Sequence, residues 1–155
     1  MKLVFRPYQE EDKSALFHLI MGLYAADAAG EEMTSDKIDK TIEVLSQESR
    51  AGEILMALDG LTPIGYAILI RYWSNEYGGW LVFIDELFIA ESHRGQGAGS
   101  SFMHFITAQY FKDVQAFALE VMPSNDRALA LYQRLGFTID GRNHLFCHPA
   151  PHLQE

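Results

Sequence analysis

The chain has 155 residues, 48% hydrophobic and 12% aromatic, which is enough for one domain, residues 1–155, with a sizeable core. Its 21 acidic residues against 12 basic ones leave a formal charge of −9, a field that opposes nucleic-acid phosphates, so no nucleic-acid partner is expected. Cys147, the only cysteine, excludes an internal disulfide and suits a reducing cytoplasm; no apolar run reaches the roughly 18 residues of a membrane helix, and Arg6, Glu10, Glu11 and Asp12 interrupt any signal-peptide core.

Leu3-Val4-Phe5 reads as a short strand ended by Pro7. From Glu11 to Tyr24, Leu16, Leu19, Ile20 and Leu23 recur at helical spacing. Asp27 to Glu32 is small, acidic and glycine-containing, as a loop would be. Ser35 is placed to cap a second helix with Ile38, Ile42 and Leu45 on one face. Glu53–Leu58 and Pro63–Tyr72 read as strands around an Asp59-Gly60 hairpin turn. An aromatic, polar loop from Tyr72 to Gly79 leads to a strand over Leu81–Ile89. A glycine-rich loop then precedes a helical pattern through Phe102, Phe105, Ile106, Gln109 and Tyr110. Ala116–Val121 reads as a strand, and Asn125–Leu135 as a helix stopped by Gly136. Phe137–Ile139 and Leu145–Cys147 read as short final strands, followed by a loose tail with Pro149 and Pro151. This order predicts an α/β (α+β) three-layer sandwich.

The loop Arg94-Gly95-Gln96-Gly97-Ala98-Gly99-Ser100 stands where a strand becomes a helix. Glycines there let backbone N–H groups approach a ligand, and a helix N-terminus adds unpaired donors and a positive dipole end. The chemistry suited to it is phosphate or pyrophosphate binding; the competing reading is a surface turn. No lysine follows the glycines, so a nucleoside-triphosphate P-loop does not fit. A dinucleotide fingerprint needs G-x-G-x-x-G; here Ser100 stands at the last glycine. Glu120 lies at the right distance downstream for that alternative, but Asp85 and Glu86 interrupt the strand that should be apolar.

Arg94-x-x-Gly97-x-Gly99 matches the acyl-CoA pyrophosphate motif of the GNAT N-acetyltransferase superfamily. Asp85 to Gly95 resembles that family's fourth strand running into the loop. Asn125-Asp126-Arg127-Ala128-Leu129-Ala130-Leu131-Tyr132-Gln133-Arg134-Leu135-Gly136-Phe137 is similar to its second signature. The resemblance, strong from Leu61 to Phe137, implies a mixed central sheet of six or seven strands with about four helices. The fourth and fifth strands would splay around acetyl-CoA. It also implies a homodimer, as many relatives pair.

Acetyl transfer from a thioester to an amine sets three tasks. An amine of pKa about 10.4 must lose a proton, at roughly 4–5 kcal/mol at pH 7. Asp85 and Glu86 can serve; neighbours on a strand face opposite ways, though a bulge, common in the family's fourth strand, blurs the choice. The segment looks like that of diamine acetyltransferases, whose register implies Asp85 as base and Glu86 as amine contact. The developing oxyanion needs donors, which the resemblance assigns to backbone N–H groups of Leu87, Phe88 and Ile89. The thiolate needs a proton, and Tyr132 matches the family's general acid; the competing reading is an aromatic on a buried helix face. The cofactor-binding set is completed by Arg94, Gly95, Gln96, Gly97, Ala98, Gly99, Ser100 and Asn125, the last either touching the pantetheine arm or capping its own helix.

Asp27, Glu31, Tyr72 and Trp73 are candidates for the acceptor, since carboxylates and aromatics suit an organic cation. Tyr72, Trp73 and Tyr77 fit equally well as cover for a sheet end or a dimer contact. Cys147-His148 and His152 lack a second pair at zinc spacing, so no metal is expected. The expectation is an acetyl-CoA-dependent N-acetyltransferase acting on a small cationic amine. Within the class, a protein N-terminus or lysine is the alternative acceptor; outside it, a non-catalytic acyl-CoA sensor.

Overall fold

The computed structural model describes residues 1–26, 31–47 and 50–142. Five strands form one mixed sheet in the order β1-β2-β3-β4-β5: β1 Leu3–Pro7, β2 Gly52–Asp59, β3 Thr62–Ser74, β4 Gly79–Ile89 and β5 Ala116–Leu119. The first four pair antiparallel, and β5 joins β4 in parallel. Helices α1 (Lys13–Ala26) and α2 (Ser35–Gln47) cover one face. The other carries α3 (Ala98–His104), prolonged by a π-helical stretch Phe105–Tyr110, and α4 (Asp126–Arg134).

Strand alternation divides the core in two. Leu16, Ile20, Ile38, Met56, Tyr66 and Ile68 lie between the sheet and α1–α2. Leu55, Leu69, Val82, Phe102, Met103 and Ile106 lie beneath α3. The apolar runs that look continuous in sequence are strands buried on both faces.

Several boundaries differ from expectation. The sheet has five strands among the described residues, not six or seven. Phe137–Ile139 is not a strand: Gly136 turns left-handed (φ +92°), the Phe137 N–H donates to the Tyr132 carbonyl, and the Gly136 N–H donates to Gln133. That hydrogen-bonded stop folds Phe137 back so that its ring meets Tyr132 edge-on at 5.9 Å. The expected strand Leu145–Cys147 and the Cys147-His148-His152 group lie outside the described residues. Ser35 begins α2 instead of capping it; the Thr34 hydroxyl accepts from the Lys37 N–H at 3.4 Å. β3 runs to Ser74, which shortens the aromatic loop to 75–78.

The chain's entry into α1 is pinned by one buried ion pair. Asp12, 3% exposed, accepts from both terminal nitrogens of Arg6 at 2.6 and 2.9 Å and from the Gln9 N–H at 2.9 Å. Burial pushes the Asp12 carboxyl up, but these donors outweigh it and hold it below its ordinary value. Because the folded pKa is lowered, the stabilisation is full above the unfolded carboxyl pKa of about 3.9 and is lost as pH falls through the folded value. Arg6→Ala strands a buried carboxylate, so we expect a loss of about 3 kcal/mol at pH 7 that shrinks on acidification, read by denaturant melts across pH.

Candidate active site

β4 and β5 pair only from Leu81↔Ala116 to Ile84↔Leu119, while β4 continues to Ile89. A gap therefore opens beside Asp85–Ile89. Its start coincides with a bulge: Leu69 faces Ile84 and Ile68 faces Glu86, so Asp85 is the extra residue. One inserted residue reverses the alternation. Val82 and Ile84 point into the α3-side core, as do Leu87 and Ile89 beyond the bulge; Phe88 joins the α1–α2 side.

The ladder also fixes the backbone. The Ala90 N–H donates to the Ile64 carbonyl at 2.8 Å, so even-numbered residues of this segment spend their amide groups on β3. Leu87 and Ile89 therefore turn their N–H groups towards the gap. Of the three expected oxyanion donors, Phe88 is the one committed to the sheet.

A groove of about 710 Å³ runs from this gap along the glycine-rich loop. Leu87, Phe88 and Ile89 line it together with Arg94, Gly95, Gly97, Ala98, Gly99, Ser100, Asn125 and Tyr132. Gln96 does not; its side chain is exposed and donates to the Ser92 carbonyl at 3.2 Å. Gly97 caps α3 at φ +85°, and a Cβ there would meet nothing within 4 Å, so this backbone is approachable from the groove. Arg94 donates through Nε to the Ile89 carbonyl at 2.8 Å and lies over the Phe88 ring, 5.0 Å from its centroid. Asn125 caps α4, accepting from the Ala128 N–H at 3.1 Å.

Arg127 and Arg134, both on α4, also line the groove. With Arg94 they make a basic strip in a chain of net charge −9. Sequence reading passed over them, although their spacing of seven puts them on one helix face.

Tyr132 sits in the groove wall, packed against the α3-side core. Burial raises its pKa above the ordinary phenol value, so it stays protonated through the neutral range. Neither Asp85 nor Glu86 is among the residues lining the groove; both stand on β4 just past Ile84, where its pairing with β5 ends. Asp85 keeps an exposed surface, yet the surrounding walls withdraw enough water to push its carboxyl up, and the negative charge of Glu120 pushes it further. Glu86 is half-buried, and burial, with the Asp85 charge, holds its carboxyl above the ordinary value although hydrogen bonds from Tyr24 and Tyr66 work against that rise.

The acceptor candidates are scattered. Asp27 lies outside the described residues. Glu31 is exposed ahead of α2 and does not line the groove. Tyr72 and Trp73 occupy the far end of the β3–β4 hairpin, where Trp73 pairs with Trp80 and their rings meet edge-on at 5.7 Å. Five residues separate Trp80 from Asp85, about 17 Å along the strand.

Residues 16–137 match the Acetyltransferase (GNAT) family. The chain belongs to that family. Among relatives, this GNAT protein is 32% identical over 107 residues to an aminoglycoside N(6′)-acetyltransferase type 1 of Klebsiella pneumoniae, covering 63% of this chain and 52% of the relative. It is 31% identical over 88 residues to the uncharacterized N-acetyltransferase YobR of Bacillus subtilis, covering 56% of this chain and 32% of the relative. The matched region thus spans about half, or less, of these relatives' length. The fold superposes on a crystal structure described as a possible acetyltransferase of Clostridium difficile 630, with TM-score 0.82, 17% identity and 98% and 100% of the two chains covered. It also resembles an aminoglycoside acetyltransferase from an uncultured soil metagenomic sample, solved with sisomicin, at TM-score 0.73 and 16% identity, over 96% and 97% of the chains. No helix among the described residues is long and apolar enough to cross a membrane.

Proposed function

We propose that this GNAT protein moves the acetyl group of acetyl-CoA directly to the primary amine of a small cationic acceptor within a ternary complex. The observation that carries this reading is the strand gap opening at Asp85: it joins the Gly97 loop, two outward backbone donors and Tyr132 in one groove.

Acetyl-CoA supplies an activated carbonyl on a thiolate leaving group. The basic strip of Arg94, Arg127 and Arg134 and the approachable Gly97 backbone suit its phosphates. Asp85, its pKa raised, takes the proton from the acceptor ammonium directly or through water. The freed nitrogen lone pair forms the C–N bond while Leu87 and Ile89 N–H groups steady the carbonyl oxygen, and the nitrogen gives its second proton to water as the intermediate collapses. As the C–S bond breaks, Tyr132 passes its proton to sulfur, giving the N-acetyl product and free coenzyme A; solvent restores the phenol. A phenol above pKa 10 protonating a thiol-class group near 8.5 is uphill by at least about 2 kcal/mol, which a catalytic step tolerates. The relatives named for aminoglycosides carry the amine class, since those sugars are polycationic; diamines, polyamines and basic amino acid derivatives share the chemistry.

A thiol-release assay with acetyl-CoA over a panel of 1,4-diaminobutane, spermidine, kanamycin, lysine amide and an alanine-initiated peptide tests the acceptor class. A preference for the peptide, with the small cations silent, would replace the small-amine reading. Asp85 should also write itself into the pH profile. Its raised pKa places the acid limb of kcat above the ordinary carboxylate range, with rate lost as pH falls through it. Glu120→Gln removes the like charge and should move that limb to lower pH. An unmoved limb would take Asp85 out of the base role.

A further inference from the structure

Glu86 is gripped from two layers at once. The Tyr24 hydroxyl, from the last turn of α1, donates to Oε1 at 2.6 Å. The Tyr66 hydroxyl, from β3, donates to Oε2 at 2.7 Å. Tyr66 is fully buried, so its hydroxyl direction is fixed by packing. Tyr24 reaches the strand because α1 settles closely on β4: a Cβ on Gly22 would lie 3.3 Å from the Phe88 ring tip. The bulge at Asp85 completes the arrangement, since unbroken alternation from Ile84 through Asp85 would point Glu86 to the α3 side, where it would meet neither phenol.

The geometry points to Tyr24 and Tyr66 as positioning residues that hold the Glu86 carboxylate, one hydroxyl per oxygen, as the fixed anion against which the acceptor's ammonium docks. This deepens the acetyl-transfer reading and rests on it. Phenolic O–H groups aimed at a carboxylate favour its charged form and lower its appetite for a proton. That is the right treatment for an ion-pairing anchor and the wrong one for a base. The influences on neighbouring Asp85 all run the other way: burial and Glu120 both favour its protonated form. Burial and the Asp85 charge still leave the Glu86 carboxyl raised overall, as Asp85 is, so what sets Glu86 apart is the geometry: a phenol on each oxygen works against that rise and fixes where the carboxylate lies. Among the described residues, the titratable groups facing Glu86 are Tyr24 from α1, Tyr66 from β3 and Asp85 from its own strand.

The competing role for the two tyrosines is structural, with Glu86 merely satisfying a buried phenol. Tyr24→Phe and Tyr66→Phe separate the two. Each removes one oxygen, and Tyr24, on the α1 edge, keeps the test open if the buried Tyr66 variant folds poorly. The readouts are the Glu86 carboxyl titration by NMR in ligand-free protein and the pH dependence of KM and kcat for whichever panel amine has the highest kcat/KM. Expected is an upward move of the Glu86 midpoint in each variant. KM for the amine should rise about tenfold on the acid side of that midpoint, the scale of one charge-assisted hydrogen bond, while the acid limb of kcat stays put. An unmoved Glu86 midpoint in wild-type-active protein, or a fall in kcat at constant amine KM, overturns the inference alone. A wild type that acetylates no amine on the panel overturns the transferase reading beneath it.

Discussion

Gly97→Val is expected to abolish measurable acetyl-CoA binding, a loss of at least 100-fold in affinity, while the domain stays folded. Two effects act on one residue. Gly97 sits at φ +85°, where a β-branched side chain is strained by roughly 1–3 kcal/mol. The new side chain would also project into open space, since nothing lies within 4 Å of its Cβ. That space is where the phosphates must approach the loop backbone. The strain subtracts from stability without breaking the core, because Gly97 is exposed and packs against neither apolar cluster. Calorimetric titration with acetyl-CoA, beside a circular dichroism melt, separates the two effects. Near-normal affinity in a folded variant removes the loop from cofactor binding.

Tyr132→Phe is expected to lower kcat by at least tenfold, and up to the 10²–10⁴ typical of general acid catalysis, with the dissociation constant of acetyl-CoA nearly intact. The substitution keeps the ring that meets Phe137 at 5.9 Å and removes only the hydroxyl. Folding of the α4 terminus should survive, because the stop at Gly136 uses the Tyr132 carbonyl and not its side chain. Burial raises the Tyr132 pKa, so the protonated form persists beyond the ordinary phenol range; any alkaline limb in the wild type that depends on it should lie above pH 10. A variant with unchanged kcat returns Tyr132 to a packing role.

The sequence exposed those parts of the site that depend on local backbone chemistry. Gly95 and Gly97, both left-handed at φ +77° and +85°, mark a loop where the chain turns as side chains rarely allow, while Gly99 already belongs to α3. Asn125 and Gly136 bracket α4 by cap chemistry that any isolated helix would show. The periodicities of α1, α2 and β2–β4 are likewise local, and so were readable within a few residues. What escaped depends on partners distant in sequence. The resemblance suggested a bulge in this strand, but nothing in β4 itself fixes it at Asp85, because a bulge exists only in the pairing with β3. Tyr24 lies 62 residues from Glu86 and Tyr66 lies 20 away, so neither could be tied to it by spacing. Phe137 has the apolar, β-prone character of a strand residue. The left-handed Gly136 instead folds it onto Tyr132, a case of a helix stop overriding propensity.

The basic strip carries a similar lesson about scale. A net charge of −9 describes the whole surface, whereas a ligand meets only the groove, where Arg94, Arg127 and Arg134 converge. Composition therefore argues against a distributed polyanion and says little about one small anionic ligand in a lined cleft.

The most direct test of the central claim follows the acetyl group itself. The protein is incubated with acetyl-CoA labelled in its acetyl group and with each panel amine, and the products are weighed by mass spectrometry. The expected result is one labelled acetyl group on the nitrogen of a small cationic amine, in equal yield with free coenzyme A. Free coenzyme A accompanied only by labelled acetate, or no turnover with any amine despite tight acetyl-CoA binding, would contradict it.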